Sequence, residues 1–214
     1  MNPRLLAAVV LCAAGCAVRA PAVAPVASPE PGAPFGLRVS GKGRIDLARE
    51  HFRFDAALAL RAPDRLHVEI FGPVGGTRAV LAMRGNQVIV LLPSDRIVIE
   101  GPPTRELFDA LLGLRLDGPS LVRLLGTLGD TQEGTLPRTR VEGGLRVTRE
   151  ASRLVAEADP PDPDGFQRLE LRVHELERVP ANDLPDSLFS PTPPSGWRRL
   201  DPDHLPPGGP LLLP

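Results

Sequence analysis

The chain carries two thiols, Cys12 and Cys16, and what precedes the second sets its chemistry. Arg4 supplies a positive start, Leu5–Leu11 an apolar run, and Ala13-Ala14-Gly15 a set of small residues. This is the build of a cleavable signal peptide, with its small residues at the cut. The apolar run falls well short of the about 20 residues that cross a bilayer. Cleavage after Gly15 removes Cys12 and makes Cys16 the first residue of the mature chain. If Cys16 is acylated, no thiol remains for a disulfide, a metal site or a nucleophile, and the fold must stand on its core alone.

A cysteine directly after small residues at such a cut resembles a bacterial lipobox, although Ala13 stands where leucine is commonest. That resemblance implies residues 1–15 as a lipoprotein signal peptide and Cys16 as the lipidated residue. The alternative is a plain secretory signal that contains two cysteines. One buried acyl chain binds a membrane only marginally, but this modification places several chains on one residue, which makes a stable anchor. Ala17 occupies the position where an aspartate would retain an enteric lipoprotein at the inner membrane. The expected location is therefore the outer membrane, lipid-anchored and facing the periplasm.

Other residues with chemical potential do not converge. Gly36–Gly43 nearly spells a phosphate-binding loop, but Gly43 stands where Ser or Thr would hold magnesium, and a strand rather than a helix follows. His51, His67, His174 and His204 lack metal-ligand spacing, and His67 alternates with Arg65 and Glu69 on an expected solvent face. Ser40, Ser94, Ser120, Ser152 and Ser187 carry no nucleophile signature. Asp159, Asp162 and Asp164 lack the glycine turn and terminal glutamate of a calcium loop. The reading is a non-enzyme with no catalytic residue, no metal and no cofactor.

The remaining sequence specifies a scaffold. The 214 residues have a net charge of −1 and show no polybasic patch, which gives no electrostatic case for nucleic acid. Residues 16–34 hold the cysteine and a Pro/Ala-rich tether, residues 35–200 the domain, and residues 201–214 a Pro/Gly-rich tail expected to be disordered. Period-two alternation predicts strands over Leu37–Asp46, His51–Leu60, Arg65–Phe71, Thr77–Met83, Gln87–Leu92 and Arg96–Glu100. The links are too short for crossover helices, so the strands form an antiparallel meander.

The period then changes. Thr104 can cap a helix whose stripe is Leu107, Phe108, Leu111 and Leu112, with Gly113 as its stop. A second short helix follows Asp117-Gly118-Pro119 and presents Leu121, Val122, Leu124 and Leu125. Strands resume over Gly144–Glu150, Arg153–Ala158 and Phe166–Arg178. The fold class is α+β, mainly β: a curved antiparallel sheet whose concave face receives the leucines of the helical insertion.

A binding cavity for acyl chains needs apolar lining and little else. Phe52, Phe54, Leu58, Leu66, Val68 and Ile70 could line its sheet side. Leu107, Phe108, Leu111, Leu121 and Leu125 could line its helical side. The same residues serve equally as a solid core, and the sequence does not separate the two.

Two stretches carry a resemblance. RLHVEIFGPVGGT (Arg65–Thr77) and TRELFDALLGLRLDGPSLVRLLGTLG (Thr104–Gly129) resemble the LolB-like outer-membrane lipoprotein receptors, which belong with the LolA-like periplasmic carriers. Ser40–Leu47 fits the family's glycine-bearing first strand, and the stretches at Leu188-Phe189-Ser190 and Pro194-Ser195-Gly196 resemble the tail of more distant relatives. The resemblance covers most of Leu37–Trp197. It implies an incomplete half-barrel with a short helical lid over a hydrophobic cavity. It also implies acyl chains of lipoproteins as cargo, a LolA-like carrier as partner, and insertion of the cargo into the outer membrane. Gly72, Pro73, Val74 and Gly75 correspond to the family's membrane-insertion loop, with Val74 where the family has leucine. The carriers' inward arginine has no counterpart here. Relatives of the carrier fold also include sensors, so the alternative is a structural or regulatory envelope lipoprotein that binds another protein or lipid.

Overall fold

In the computed structural model of the chain, the described residues are 35–48, 50–72, 75–129, 138–161 and 165–205. Cys16, the tether, Pro73, Val74 and residues 206–214 lie outside them. The protein is mainly β. A first meander comprises β1 (Phe35–Leu47), β2 (His51–Arg61), β3 (Arg65–Phe71), β4 (Thr77–Arg84), β5 (Gln87–Leu92) and β6 (Ile97–Gly101). Two helices follow, α1 (Arg105–Leu112) and α2 (Gly118–Gly126). A second meander comprises β7 (Arg138–Glu142), β8 (Leu145–Glu150), β9 (Arg153–Ala158) and β10 (Phe166–Pro180), and β11 (Arg198–Leu200) is the last described strand.

The two meanders fuse because β10 pairs with β1 along its whole length, from Phe35 opposite Pro180 to Leu47 opposite Phe166. The result is one open sheet in the order β11-β6-β5-β4-β3-β2-β1-β10-β9-β8-β7. Every pairing is antiparallel except β11 with β6, which is parallel.

Alternation along each strand divides the side chains between two faces. Leu37, Val39 and Ile45 of β1, Leu58 and Leu60 of β2, and Leu66 of β3 are buried on the face that receives the helices. Gly43 makes room in this wall, since a Cβ at that position would stand 2.1 Å from Cζ of Phe54 on the neighbouring strand. The phenyl ring occupies the space a side chain would need.

The helices form where expected, for local reasons. Thr104 is extended and its Oγ1 accepts from the Leu107 amide at 3.3 Å, which caps α1. Gly113, at φ +69°, ends α1 in the left-handed conformation, and its N–H donates to the Asp109 carbonyl. Asp117 caps α2 through an Oδ1 that accepts from the Ser120 amide at 2.8 Å. Leu107, Phe108, Leu111, Leu121, Leu124 and Leu125 are all buried against the sheet. Full burial of each such side chain contributes about 2 kcal/mol over leaving it in water.

The other face departs from expectation. It is not simply solvated, because the chain after β10 crosses it. Short 3-10 turns at Ala181–Asp183 and Asp186–Phe189 bring Leu184 and Phe189 into a second apolar cluster with Ala59 and Val179. Trp197 packs with Ile89, Leu91 and Val98 in a third. His67, expected in solvent, is 8% exposed on this covered face. Its Nε2 lies 3.0 Å from Glu69 Oε1, while Nδ1 is buried and has no hydrogen-bond partner among the described residues. The Asp186–Phe189 turn lies against β3 and β4, the strands that carry and neighbour His67.

Candidate functional site

An apolar cavity of about 90 Å³ lies where the sheet meets the helices. Each lining group arrives by a separate local rule. Phe54, Ala56 and Leu58 come from alternate positions of β2, and Val68 and Ile70 from alternate positions of β3. Ala79 and Leu81 belong to β4, and Ile45 to β1. Leu169 and Leu171 reach it from β10. The helical side is Leu112 at the end of α1, Leu114 in the link, and Leu121 and Leu125 of α2. The last two stand four residues apart and so share one helix face.

All of the lining side chains among the described residues are apolar. Such a surface offers no general acid, base or nucleophile, and no ligand for a metal. What it can do is accept hydrocarbon. Its present volume is well below the about 300–1,000 Å³ of sites that enclose a whole small molecule. A long chain would enter only if the helices moved away from the sheet.

Of the residues the sequence nominated, Phe54, Leu58, Val68, Ile70, Leu121 and Leu125 meet at the cavity. Leu66, Leu107, Phe108 and Leu111 sit in the packed core beside it, each no more than 3% exposed, and Phe52 packs against that core. Sequence reading did not nominate Ile45, Ala56, Ala79, Leu81, Leu112, Leu114, Leu169 and Leu171. Ile45 and Leu81 were legible as apolar strand positions. Leu169 and Leu171 required knowing that β10 returns beside β1, a long-range pairing that no local pattern encodes. In the candidate insertion loop, Gly75 and Gly76 have φ of +82° and +83°, and the Gly72 amide donates to the Gly76 carbonyl at 3.1 Å. Pro73 and Val74 of that loop are outside the described residues.

The β10 wall is fastened from the opposite face. Between Leu169 and Leu171, Glu170 points away from the cavity and accepts from Arg153 at 2.8 Å, Arg172 at 2.8 Å and Arg168 at 3.3 Å. Hydrogen bonds from Arg153 and Arg172 pull its carboxyl down to about 2, against the opposing effect of burial. On α2, hydrogen bonds from Ser120 hold Asp117 below the usual carboxylate range.

A larger groove of about 740 Å³ lies where the β1–β2 turn meets the β9–β10 loop. Its arginines are already engaged: Arg44 with Asp46 at 2.7 Å, Arg146 with Asp159 at 3.0 Å and Arg168 with Glu157 at 3.0 Å. These surface ion pairs presents no converging charge of one sign, so the apolar cavity is the candidate site despite its size. No protein-family model matches this chain, and no curated protein does. Its geometry must speak for it.

Proposed function

We propose that the protein is a membrane-anchored lipoprotein that binds the acyl chains of other lipoproteins and helps insert them into the outer membrane. In this reading the open sheet is an incomplete half-barrel and α1 and α2 are its lid. The observation that carries it is the all-apolar cavity at the seam between the two. Cys16 anchors the chain, a LolA-like periplasmic carrier delivers the cargo, and the Gly72–Gly75 loop meets the membrane. No catalytic residue is invoked, because transfer of a hydrocarbon chain between apolar environments breaks no bond.

The lid must lift for the site to work. Closing it over an empty cavity keeps apolar surface out of water, and an incoming chain replaces lid–sheet contacts with its own. Incubating the mature protein with a fluorescent fatty acid tests this directly. Saturable uptake, competed by a lipoprotein's acylated N-terminus, supports the reading, and no uptake at any concentration removes it.

The tightness of the cavity favours a second reading, in which the same fold serves as a structural or regulatory envelope lipoprotein that binds another protein or lipid. Depletion separates the two. Loss of a receptor strands many lipoproteins in the periplasm, whereas loss of a structural factor leaves them in place.

A further inference from the structure

We infer that residues 181–205 form a latch that holds α1 against the sheet and so governs admission to the cavity, an inference that rests on the proposed reading of the helices as a lid. The segment is fastened first on the face away from the helices. Guanidinium groups from three successive strands, Arg61, Arg65 and Arg84, donate to the single carboxylate of Asp186. Arg61 also donates to the carbonyls of Ala181 at 3.1 Å and Leu184 at 3.2 Å. Its guanidinium lies 5.4 Å from the centre of the Phe189 ring. The segment is thus tied to the sheet by charge, by carbonyls and by a buried aromatic.

The chain then turns around the β6 edge. Arg198, Arg199 and Leu200 pair in parallel with Ile97, Val98 and Ile99. Arg199 also pairs with Glu100 at 2.5 Å. Beyond the edge the segment reaches the helical face: Leu200 and Leu205 pack against the same core as the helices, and the Pro202–His204 turn lies against both β6 and α1.

The seam is Gly101. A Cβ built there would stand 3.1 Å from Cγ of Pro202 and 3.6 Å from Cδ2 of Leu107. The absent side chain is what lets the latch and α1 close on the same point of β6. Leu107 is buried in α1, so lifting α1 from the sheet separates it from this seam. The helix that must move is therefore gripped by a segment anchored on the opposite face.

A residue at the seam that lines no part of the cavity gives the test. Gly101→Val drives a wedge between Pro202 and Leu107, and Leu205→Ser weakens the latch without touching β6. Amide hydrogen exchange is read in the full-length protein over residues 105–112 and over residues 51–71, and uptake of a fluorescent fatty acid is timed in parallel. The latch requires at least tenfold faster exchange over 105–112 in one or both variants, with 51–71 unchanged and uptake accelerated. Unchanged exchange over 105–112 in both variants overturns it, as does a rise shared equally by 51–71. Should α1 loosen selectively while neither parent nor variant takes up fatty acid, the latch stands and the acyl-binding reading falls.

Discussion

Glu170 illustrates how a single polar residue serves an apolar site. It is 9% exposed, accepts from three arginines, and separates two leucines that face the cavity. Its carboxyl titrates near 2 when folded and near 4.5 when free. A depressed carboxylate stabilises the fold above its unfolded value, and that contribution, on the order of 3 kcal/mol, is lost as pH falls from 4.5 towards 2. Glu170→Gln should therefore lower stability at pH 7 and flatten the acid-unfolding curve across that window. Denaturant titration at pH 7, 4.5 and 2.5 measures both effects. An equal loss at all three values would mean that the carboxylate's charge contributes nothing. Ala79 gives a second case, as a small buried residue on the cavity wall. Cavity volume costs about 24 cal/mol per Å³, so filling a void of this size is worth up to about 2 kcal/mol. Ala79→Leu should raise the thermal midpoint by several degrees, and a lowered midpoint would mean that the void is not accessible to that side chain.

Among the elements, the helices depend most on local chemistry. α1 and α2 span only 8 and 9 residues, below the length at which an isolated helix persists in water. Their caps and their buried leucines hold them. Asp117→Ala removes the α2 cap at a cost of about 1 kcal/mol and should speed amide exchange over 118–126 before any other segment. If exchange there stays at the parent rate, the cap is not what orders the helix. These helices were legible because cap and apolar stripe agree over one short span, with Gly113 as the stop of α1. The long strands β1, β2 and β10 were legible because alternation persists over many residues. β7 and β11 were not: RTRVE holds one apolar residue, and three residues of β11 are too few to establish a period. Their pairing is set by neighbours distant in sequence. His67 misled for a related reason. Its place opposite Leu66 and Val68 was read correctly, but nothing local announces that the C-terminal segment returns to cover that face.

For the whole molecule, the geometry of the ends matters to the proposed function. Phe35 begins β1 at the Arg61 end, whereas the Gly72–Gly76 loop follows β3 at the opposite end, beside the β1–β2 turn. The 13 residues of β1 cover about 44 Å. The 18 residues from 17 to 34 have a contour length of about 56 Å, taken at about 3.1 Å per residue. On the proposed reading, that length lets the loop end face the membrane that would hold Cys16. On that reading Val74→Glu leaves fatty-acid binding intact and blocks deposition of cargo into liposomes, since a carboxylate in that loop resists transfer into lipid. Undiminished deposition would contradict a membrane role for the loop.

Uptake of a fluorescent fatty acid by the mature protein, compared with Ala79→Leu, tests the central claim most directly. Hydrocarbon must lodge between the sheet and the helices, so the parent should bind saturably and the filled variant should lose most of that binding while remaining folded. Equal binding by both, or by neither, would contradict it.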